Sequence, residues 1–305
     1  MPGWGPFVEE SAYETFISNY VDQPEINTCE SEHDAIAKAQ TRCTPGYAVS
    51  GVGVVICSRH ALIRRNGAGD LQLGEKYCNM DWIIFLALAG VILPWIFITY
   101  DIGCQWLKNF RSRMLDFPES MQIDPTTRVD VGIPSWHING HGRKCRTDFC
   151  LGYTKGAGRT CGEEVETTWS STNALAPSVR EMGPGARHDT LNDHWNGWNF
   201  RKIVGFRNLF SRCFEEAALM SAKHSEIFEK FSATFPPETV ARWVRMVERW
   251  ESDPRAPNPY DEPEQTTTLQ DVRLELARKE TLQLAAGYVP RHKVSMMGFD
   301  LEDQQ

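Results

Sequence analysis

The sequence has no surplus of basic residues. Its 32 lysines and arginines are outnumbered by 40 aspartates and glutamates, which gives a formal net charge of −8 and a pI near 5.6. This balance argues against a protein that coats nucleic acid with a generally basic surface. A local basic groove stays open, because phosphate contacts need only a clustered set of lysines and arginines. At 305 residues the chain is long enough to bury a sizeable core.

The sequence also shows no internal repeat, no secretory leader at its start and no paired spacing of cysteines. The nine cysteines are an odd number, scattered through the chain. Such usage is typical of a reducing compartment. It predicts free thiols or metal ligands rather than a disulfide framework.

Charge is absent from one long stretch, the nineteen residues from Trp82 to Tyr100. A run of this length is long enough to span a membrane, so a single-pass membrane protein is one alternative. Gly90 and Pro94 interrupt the run and favour a helix, a turn and a strand instead. We therefore expect no membrane association.

The most informative stretch runs from Trp95 to Trp106. Apolar and β-branched residues lead up to Tyr100, and Asp101 is the first charge after them. This pattern predicts a buried strand that ends on a carboxylate. Two interpretations remain open: Asp101 is a metal ligand, or it caps a helix over Ile102–Arg113.

The order of the predicted elements around this strand indicates an α/β fold. A β-branched stretch from Tyr47 to Cys57 predicts a buried strand, and a helix is expected over Met80–Ala89. The strand ending at Asp101 follows, and Val129–Pro134 is a further short strand candidate. Strand, helix and strand in alternation are typical of an α/β protein.

Histidines and cysteines suggest a second kind of metal site. His137, His141 and Cys145 are spaced by four residues, and a helix would place them on one face. Imidazole and thiolate are good zinc ligands, although Gly140 and Gly142 argue against a regular helix there. We expect either a zinc site or a loop with incidental histidines.

Two glutamates, Glu163 and Glu166, lie at the start of a predicted helix. They are three residues apart and would share one face. Acidic residues are also favoured in a first helical turn by the helix dipole, so a purely structural role is the alternative.

Five blocks of sequence resemble the KDZ transposases, which are the Kyakuja, Dileera and Zisupton elements abundant in mushroom-forming fungi. The blocks are CSRH at 57–60, GEKYCNMD at 74–81, YDIGCQW at 100–106, GRTCGEEVE at 158–166 and EMGPGARHDTLNDH at 181–194. Shorter late segments at 250–251, 258–260 and 298–305 are also similar to that family.

The resemblance implies an incomplete RNase H-like transposase core at 1–203, followed by a mainly helical C-terminal region at 204–305. It implies a catalytic set of two aspartates and a glutamate that holds Mg²⁺ or Mn²⁺ for cut-and-paste DNA chemistry. Asp101 matches the acid at the strand end, and the glutamate is Glu166 or Glu163, with Glu166 preferred as the Mg²⁺ ligand with Asp101. Cys57, His60, His137, His141 and Cys145 are the candidates for a structural Zn²⁺ site or an auxiliary role.

No residue of this chain matches the family's first catalytic aspartate, which is expected on a strand upstream of Met1. We therefore expect a fragment that is inactive alone, because the loss of one of three metal carboxylates should remove at least one ion. The resemblance also implies transposon-end DNA as a partner, a nuclear location and homo-oligomerisation. A non-catalytic DNA-binding or interaction protein derived from a transposon is the other alternative.

Overall fold

The computed structural model describes residues 5–20, 29, 46–72, 74–253, 255–261 and 269–285. The chain divides into two compact units, Met1–Pro259 and Tyr260–Gln305. The predicted mixed α/β class is confirmed. The late block at 298–305 lies outside the described residues.

The strands are β1 (Gly51–Cys57), β2 (Leu62–Leu71), β3 (Trp95–Thr99) and β4 (Arg128–Gly132). The helices of the first unit are α1 (Glu10–Ser18), α2 (Tyr77–Leu88), α3 (Gly103–Trp106), α4 (Phe110–Met114), α5 (Arg143–Asp148), α6 (Glu164–Thr172), α7 (Ala176–Val179), α8 (Pro184–Ser232) and α9 (Pro237–Ser252). In the second unit the structure describes α10 (Leu269–Ala285). Short 3₁₀ helices lie at Leu107–Asn109, Glu119–Met121, His137–Gly140, Leu151–Tyr153 and Asn173–Leu175.

β1 and β2 form an antiparallel hairpin on which α2 packs. The register runs from Gly51 opposite Leu71 to Cys57 opposite Leu62. A Cβ atom added at Gly53 would lie 2.9 Å from the sulfur of Met80, and one at Gly69 would lie 3.0 Å from the Ile83 side chain. The glycines in these strands therefore allow α2 to approach the hairpin closely.

β3 and β4 form a parallel pair, in register from Trp95 opposite Arg128 to Thr99 opposite Gly132. Parallel strands place their carboxyl ends at the same edge of the sheet. Asp101 follows β3 at this edge, and the turn that begins at His137 follows β4. The crossover between the two strands consists of α3, α4 and short 3₁₀ turns.

One apolar core joins α1 and α2 to the β3–β4 pair and its crossover. Ile83 and Phe85 of α2 are fully buried, and Trp106 and Phe110 of the crossover are buried beside them. Burial of each such side chain contributes about 1.5–3 kcal/mol. This packing holds β3, and with it Asp101, against the hairpin layer.

The uncharged run forms two elements, as the sequence predicted. α2 ends at Leu88, Gly90 has a φ of +74°, and β3 begins at Trp95. Within the described residues, none of the helices combines the length and the apolar character that crossing a membrane requires. The membrane alternative is therefore not favoured.

α8 is a single helix of 49 residues. Gly197 and Gly205 lie inside this helix. A glycine lowers helix stability by only about 1 kcal/mol relative to alanine, so it does not by itself end a helix. Leu191 and Trp195 anchor its first half in the core. The boundary predicted at 203/204 falls inside this helix, and as a domain boundary it stays a prediction.

Candidate functional site

Asp101 lies directly beyond β3 at the carboxyl edge of the parallel pair. Its side chain is 44% exposed, and its Oδ2 atom is 3.3 Å from Nε2 of His137. The next helix, α3, has Ile102 rather than Asp101 at its N-cap position. The carboxylate is therefore placed at the site edge and not at the helix cap.

His137 lies between two carboxylates. Its Nε2 atom faces Asp101, and its Nδ1 atom is 3.4 Å from Oε2 of Glu163. The other oxygen of Glu163 accepts a hydrogen bond from the backbone N–H of Trp136 at 2.8 Å. His137, a sequence-predicted zinc candidate, therefore lies within reach of both carboxylates.

Glu166 and Asp101 line the same cavity. Glu163 does not line it. This cavity has a volume of about 590 Å³ and is lined by one side of β1, by β3 and by the first turns of α6. Asp101, Glu164 and Glu166 line it together. Glu163 is the N-cap residue of α6, and Glu166 lies in the first turn of that helix. Both glutamates stay predicted site residues.

Glu75 is a further acid on this cavity that the sequence did not single out. Burial raises the pKa of its carboxyl group, the Asp101 carboxylate raises the pKa further, and the Tyr100 hydroxyl opposes the shift. Glu75 belongs to the block at 74–81, so that block was the available signal.

A separate cluster consists of Cys29, Cys104, His141 and Cys145. Their Sγ and Nδ1 or Nε2 atoms all lie within 4.8 Å of one another. The Sγ of Cys29 is 3.4 Å from Nδ1 of His141 and 3.5 Å from Sγ of Cys145, and Cys104 Sγ is 3.6 Å from the same histidine nitrogen. We call these four residues the cysteine–histidine quartet; their donor atoms can hold a metal ion.

Thiol ionisation inside the quartet is unequal. A hydrogen bond from Cys145 lowers the pKa of the Cys104 thiol, and His141 lowers it further, against the opposing effect of burial. The pKa of Cys145 is raised, chiefly by its hydrogen bond to Cys104. Burial also raises the pKa of Cys29.

The sequence-predicted zinc candidates divide into three places. His141 and Cys145 belong to the quartet, and His137 lies at Asp101. Cys57 and His60 pair with each other, with Sγ 3.3 Å from Nδ1, and the His60 ring packs against Phe206 and Phe210 of α8.

The other two members of the quartet, Cys29 and Cys104, carry little signal in the sequence. Cys104 lies in the block at 100–106, three residues beyond Asp101, and that position was its only signal. Cys29 stands alone, with no local motif around it.

The sequence model of the Kyakuja-Dileera-Zisupton transposase family matches residues 1–199. The chain belongs to the KDZ transposase family. The matched residues include the carboxylates around the cavity and all four members of the quartet, and they end inside α8 at Asn199. None of the curated proteins matches the chain, and neither does any solved structure. The assignment to the KDZ family therefore rests on sequence.

Proposed function

We propose that this chain is a transposon-derived protein with an incomplete RNase H-like core, whose carboxylates bind Mg²⁺ or Mn²⁺ for phosphoryl chemistry on DNA. The observation that carries the proposal is that Asp101 and Glu166 line one cavity. Asp101 comes from a strand end, and Glu166 comes from the first turn of α6. Oxygen ligands of this kind suit Mg²⁺, which takes few protein carboxylates and keeps water.

The cavity also suggests where the family's first catalytic acid would lie. Among the described residues, β1 pairs with β2 alone and β3 pairs with β4 alone. β1 and β3 line the cavity. Its lining residues are mostly apolar and half-buried, which suits a strand between two free edges. A strand there would join the two small sheets and could bring a third carboxylate towards Asp101.

Without that third acid, the metal site of this chain is expected to be weak. Two-metal chemistry requires ions that activate the attacking oxygen and stabilise the leaving oxygen, and shared carboxylates hold them. Asp101 and Glu166 are the acids on the cavity that the resemblance assigns to the metal ions, and without the family's first aspartate they leave at least one ion poorly held. The 305-residue chain is therefore proposed to bind one divalent ion and to lack strand-transfer activity.

Titration with Mn²⁺, followed by calorimetry or by the electron paramagnetic resonance of free Mn²⁺, tests the metal site. We expect Asp101→Asn and Glu166→Gln each to weaken binding at least tenfold. Asp124→Asn is the matched control, because the Asp124 carboxylate is exposed, accepts from the N–H of Thr126 and does not line the cavity. Unchanged Mn²⁺ affinity in Asp101→Asn would contradict the site, and metal-dependent strand transfer that Asp101→Asn abolishes would contradict the inactivity.

A second candidate function is DNA binding without catalysis in the nucleus. This candidate is favoured because no residue of the chain matches the family's first catalytic aspartate. The exposed surface near Asp101 favours it as well. Trp136 is 74% exposed next to His137, and it could stack on an unpaired base. Arg143 and Lys144 are exposed on α5, which packs against the turn at His137, and could contact phosphates.

This candidate predicts DNA affinity that falls steeply with salt and is unaffected by Asp101→Asn. Trp136→Ala should weaken binding to single-stranded DNA about tenfold. Fluorescence anisotropy with a labelled oligonucleotide at several salt concentrations measures both effects. Equal affinity of the wild type and Trp136→Ala would exclude the stacking role.

A further inference from the structure

We propose that the cysteine–histidine quartet is a structural zinc site that fixes the carboxyl edge of the β3–β4 pair. The inference stands apart from the proposed DNA chemistry, because it needs none of the carboxylates around the cavity. It rests on the identity of four side chains, on the distances between their donor atoms and on the segments from which they come.

Three of the six distances between the donor atoms match a tetrahedral ion, and all six are within 4.8 Å. Zinc binds thiolate sulfur at about 2.3 Å and imidazole nitrogen at about 2.0–2.1 Å, so neighbouring ligands of one tetrahedron lie roughly 3.5–3.8 Å apart. The separations of Cys29 from His141 and from Cys145, and of Cys104 from His141, are 3.4, 3.5 and 3.6 Å. A disulfide would need its two sulfurs at about 2.05 Å, and none of Cys29, Cys104 and Cys145 is in a disulfide.

The ligand types select zinc and a structural role. Three thiols and one imidazole form a Cys₃His set, which is a usual structural zinc combination. The set contains no carboxylate or carbonyl oxygen, so it is unsuited to Mg²⁺ or Ca²⁺. Four protein ligands also close the coordination sphere, whereas a catalytic zinc keeps one position open for water.

The surroundings of the quartet suit a bound ion as well. Cys104 and His141 are almost fully buried, and Ile133, Ile138 and Phe149 pack around the cluster. The side-chain amide of Gln105 donates to the Cys104 sulfur at 3.4 Å. Hydrogen bonds of this kind orient ligands and offset thiolate charge in metal sites.

The four ligands come from three distant parts of the chain. Cys29 is 112 residues from His141 and 116 residues from Cys145, and Cys104 is 37 residues from His141. An ion bound here would close long loops, for which the gain in stability from restricting the unfolded chain is largest. Binding free energy at such a site is also folding free energy.

The position of the quartet links it to the carboxylate edge. Cys104 lies on α3, three residues beyond Asp101, and His141 follows the 3₁₀ turn that begins at His137. A bound ion would therefore hold both segments that carry the contact between His137 and Asp101. We expect the loss of zinc to loosen residues 101–106 and 137–148 together.

The first measurement is the metal content of the full chain purified from zinc-supplemented cells. Elemental analysis should give about one zinc per chain, and exchange with Co²⁺ should give the visible absorption of tetrahedral cobalt–thiolate. Cys104→Ser and His141→Ala should each lower zinc affinity at least tenfold. Cys57→Ser combined with His60→Ala, Cys213→Ser and Asp101→Asn are the matched controls and should keep the metal.

Because quartet variants could fail to fold, the wild-type chain provides a second test. After removal of the ion with a chelator, hydrogen exchange should accelerate at 101–106 and 137–148 and stay slow in the β1–β2 hairpin. Re-addition of Zn²⁺, but not of Mg²⁺, should restore protection. The proposal is overturned if the wild-type chain carries no zinc, if the quartet variants and the controls retain it equally, or if native Cys29 and Cys145 form a disulfide.

Discussion

Asp81 shows at the scale of one residue how a buried charge is accommodated in this protein. Its side chain is 1% exposed and accepts hydrogen bonds from Nε of Arg113 at 2.5 Å and from the Trp106 indole at 2.6 Å. A second nitrogen of Arg113 donates to the backbone oxygen of Trp106 at 2.9 Å. This network ties α2 to the crossover between β3 and β4, so it supports the segment that begins at Asp101.

Removal of one partner of this pair should be costly. We expect Arg113→Ala to lower the free energy of unfolding by about 3–5 kcal/mol, because it leaves Asp81 buried without its cation. The exposed pair of Lys230 and Glu226 on α8 is the matched control, and Lys230→Ala should cost less than about 1 kcal/mol. Urea denaturation followed by circular dichroism measures both changes, and equal losses would contradict the buried-pair argument.

At the scale of the element, α8 is attached to the hairpin by side chains that complete β2. The side chain of Asn199 accepts from the N–H of Ile63 and donates to the C=O of the same residue, both at 2.9 Å. Trp198 donates to the backbone oxygen of Ala61 at 2.7 Å. The helix therefore supplies hydrogen-bond partners to the outer edge of β2, which an edge strand otherwise leaves open.

Asn199→Leu should detach this part of α8 from β2. It leaves the N–H and C=O of Ile63, a buried residue, without partners, which should cost about 1–3 kcal/mol. Asn208→Leu, on the same helix beyond the attached segment, is the control and should be near neutral. Hydrogen exchange at the Ile63 amide should accelerate in the first variant only, and unchanged exchange there would show that Asn199 is dispensable.

At the scale of the whole molecule, the KDZ match and the packed part of α8 end at nearly the same place. The match ends at residue 199, and large apolar side chains beyond it are exposed, among them Val204, Phe214 and Leu219 at 67%, 77% and 69%. Exposed apolar surface of this extent on a helix is typical of an interaction surface. It supports the proposal of a homo-oligomer, with the second half of α8 as the interface.

Analytical ultracentrifugation of the full chain should therefore show concentration-dependent self-association. Phe214→Ser together with Leu219→Ser should weaken it at least tenfold, because each change removes apolar area that association would bury. Leu115→Ser is the control, since Leu115 is equally exposed, at 70%, but lies outside α8. Association that survives the double change would exclude this surface as the interface.

The sequence by itself determined the local elements in the first part of the fold. Apolar residues before Asp101 specify a strand, and Gly90 and Pro94 specify the turn that divides the uncharged run. The predicted burial of this strand is wrong, because Ile96 is the only buried residue of β3 and Trp95 is exposed. These signals are local, because the apolar pattern and the backbone preferences of glycine and proline act over only a few neighbouring residues. The motif blocks likewise indicated the KDZ family before any contact was known.

Only the tertiary structure decided which side chains meet. The quartet combines Cys29, Cys104, His141 and Cys145 because the fold brings three distant segments together, and no spacing along the chain encodes that contact. The same holds for the two glutamates: spacing did not distinguish Glu163 from Glu166, whereas in the fold Glu166 lines the cavity with Asp101 and Glu163 accepts from the N–H of Trp136. Local pattern specifies elements, whereas a site depends on the packing of elements that are far apart in the chain.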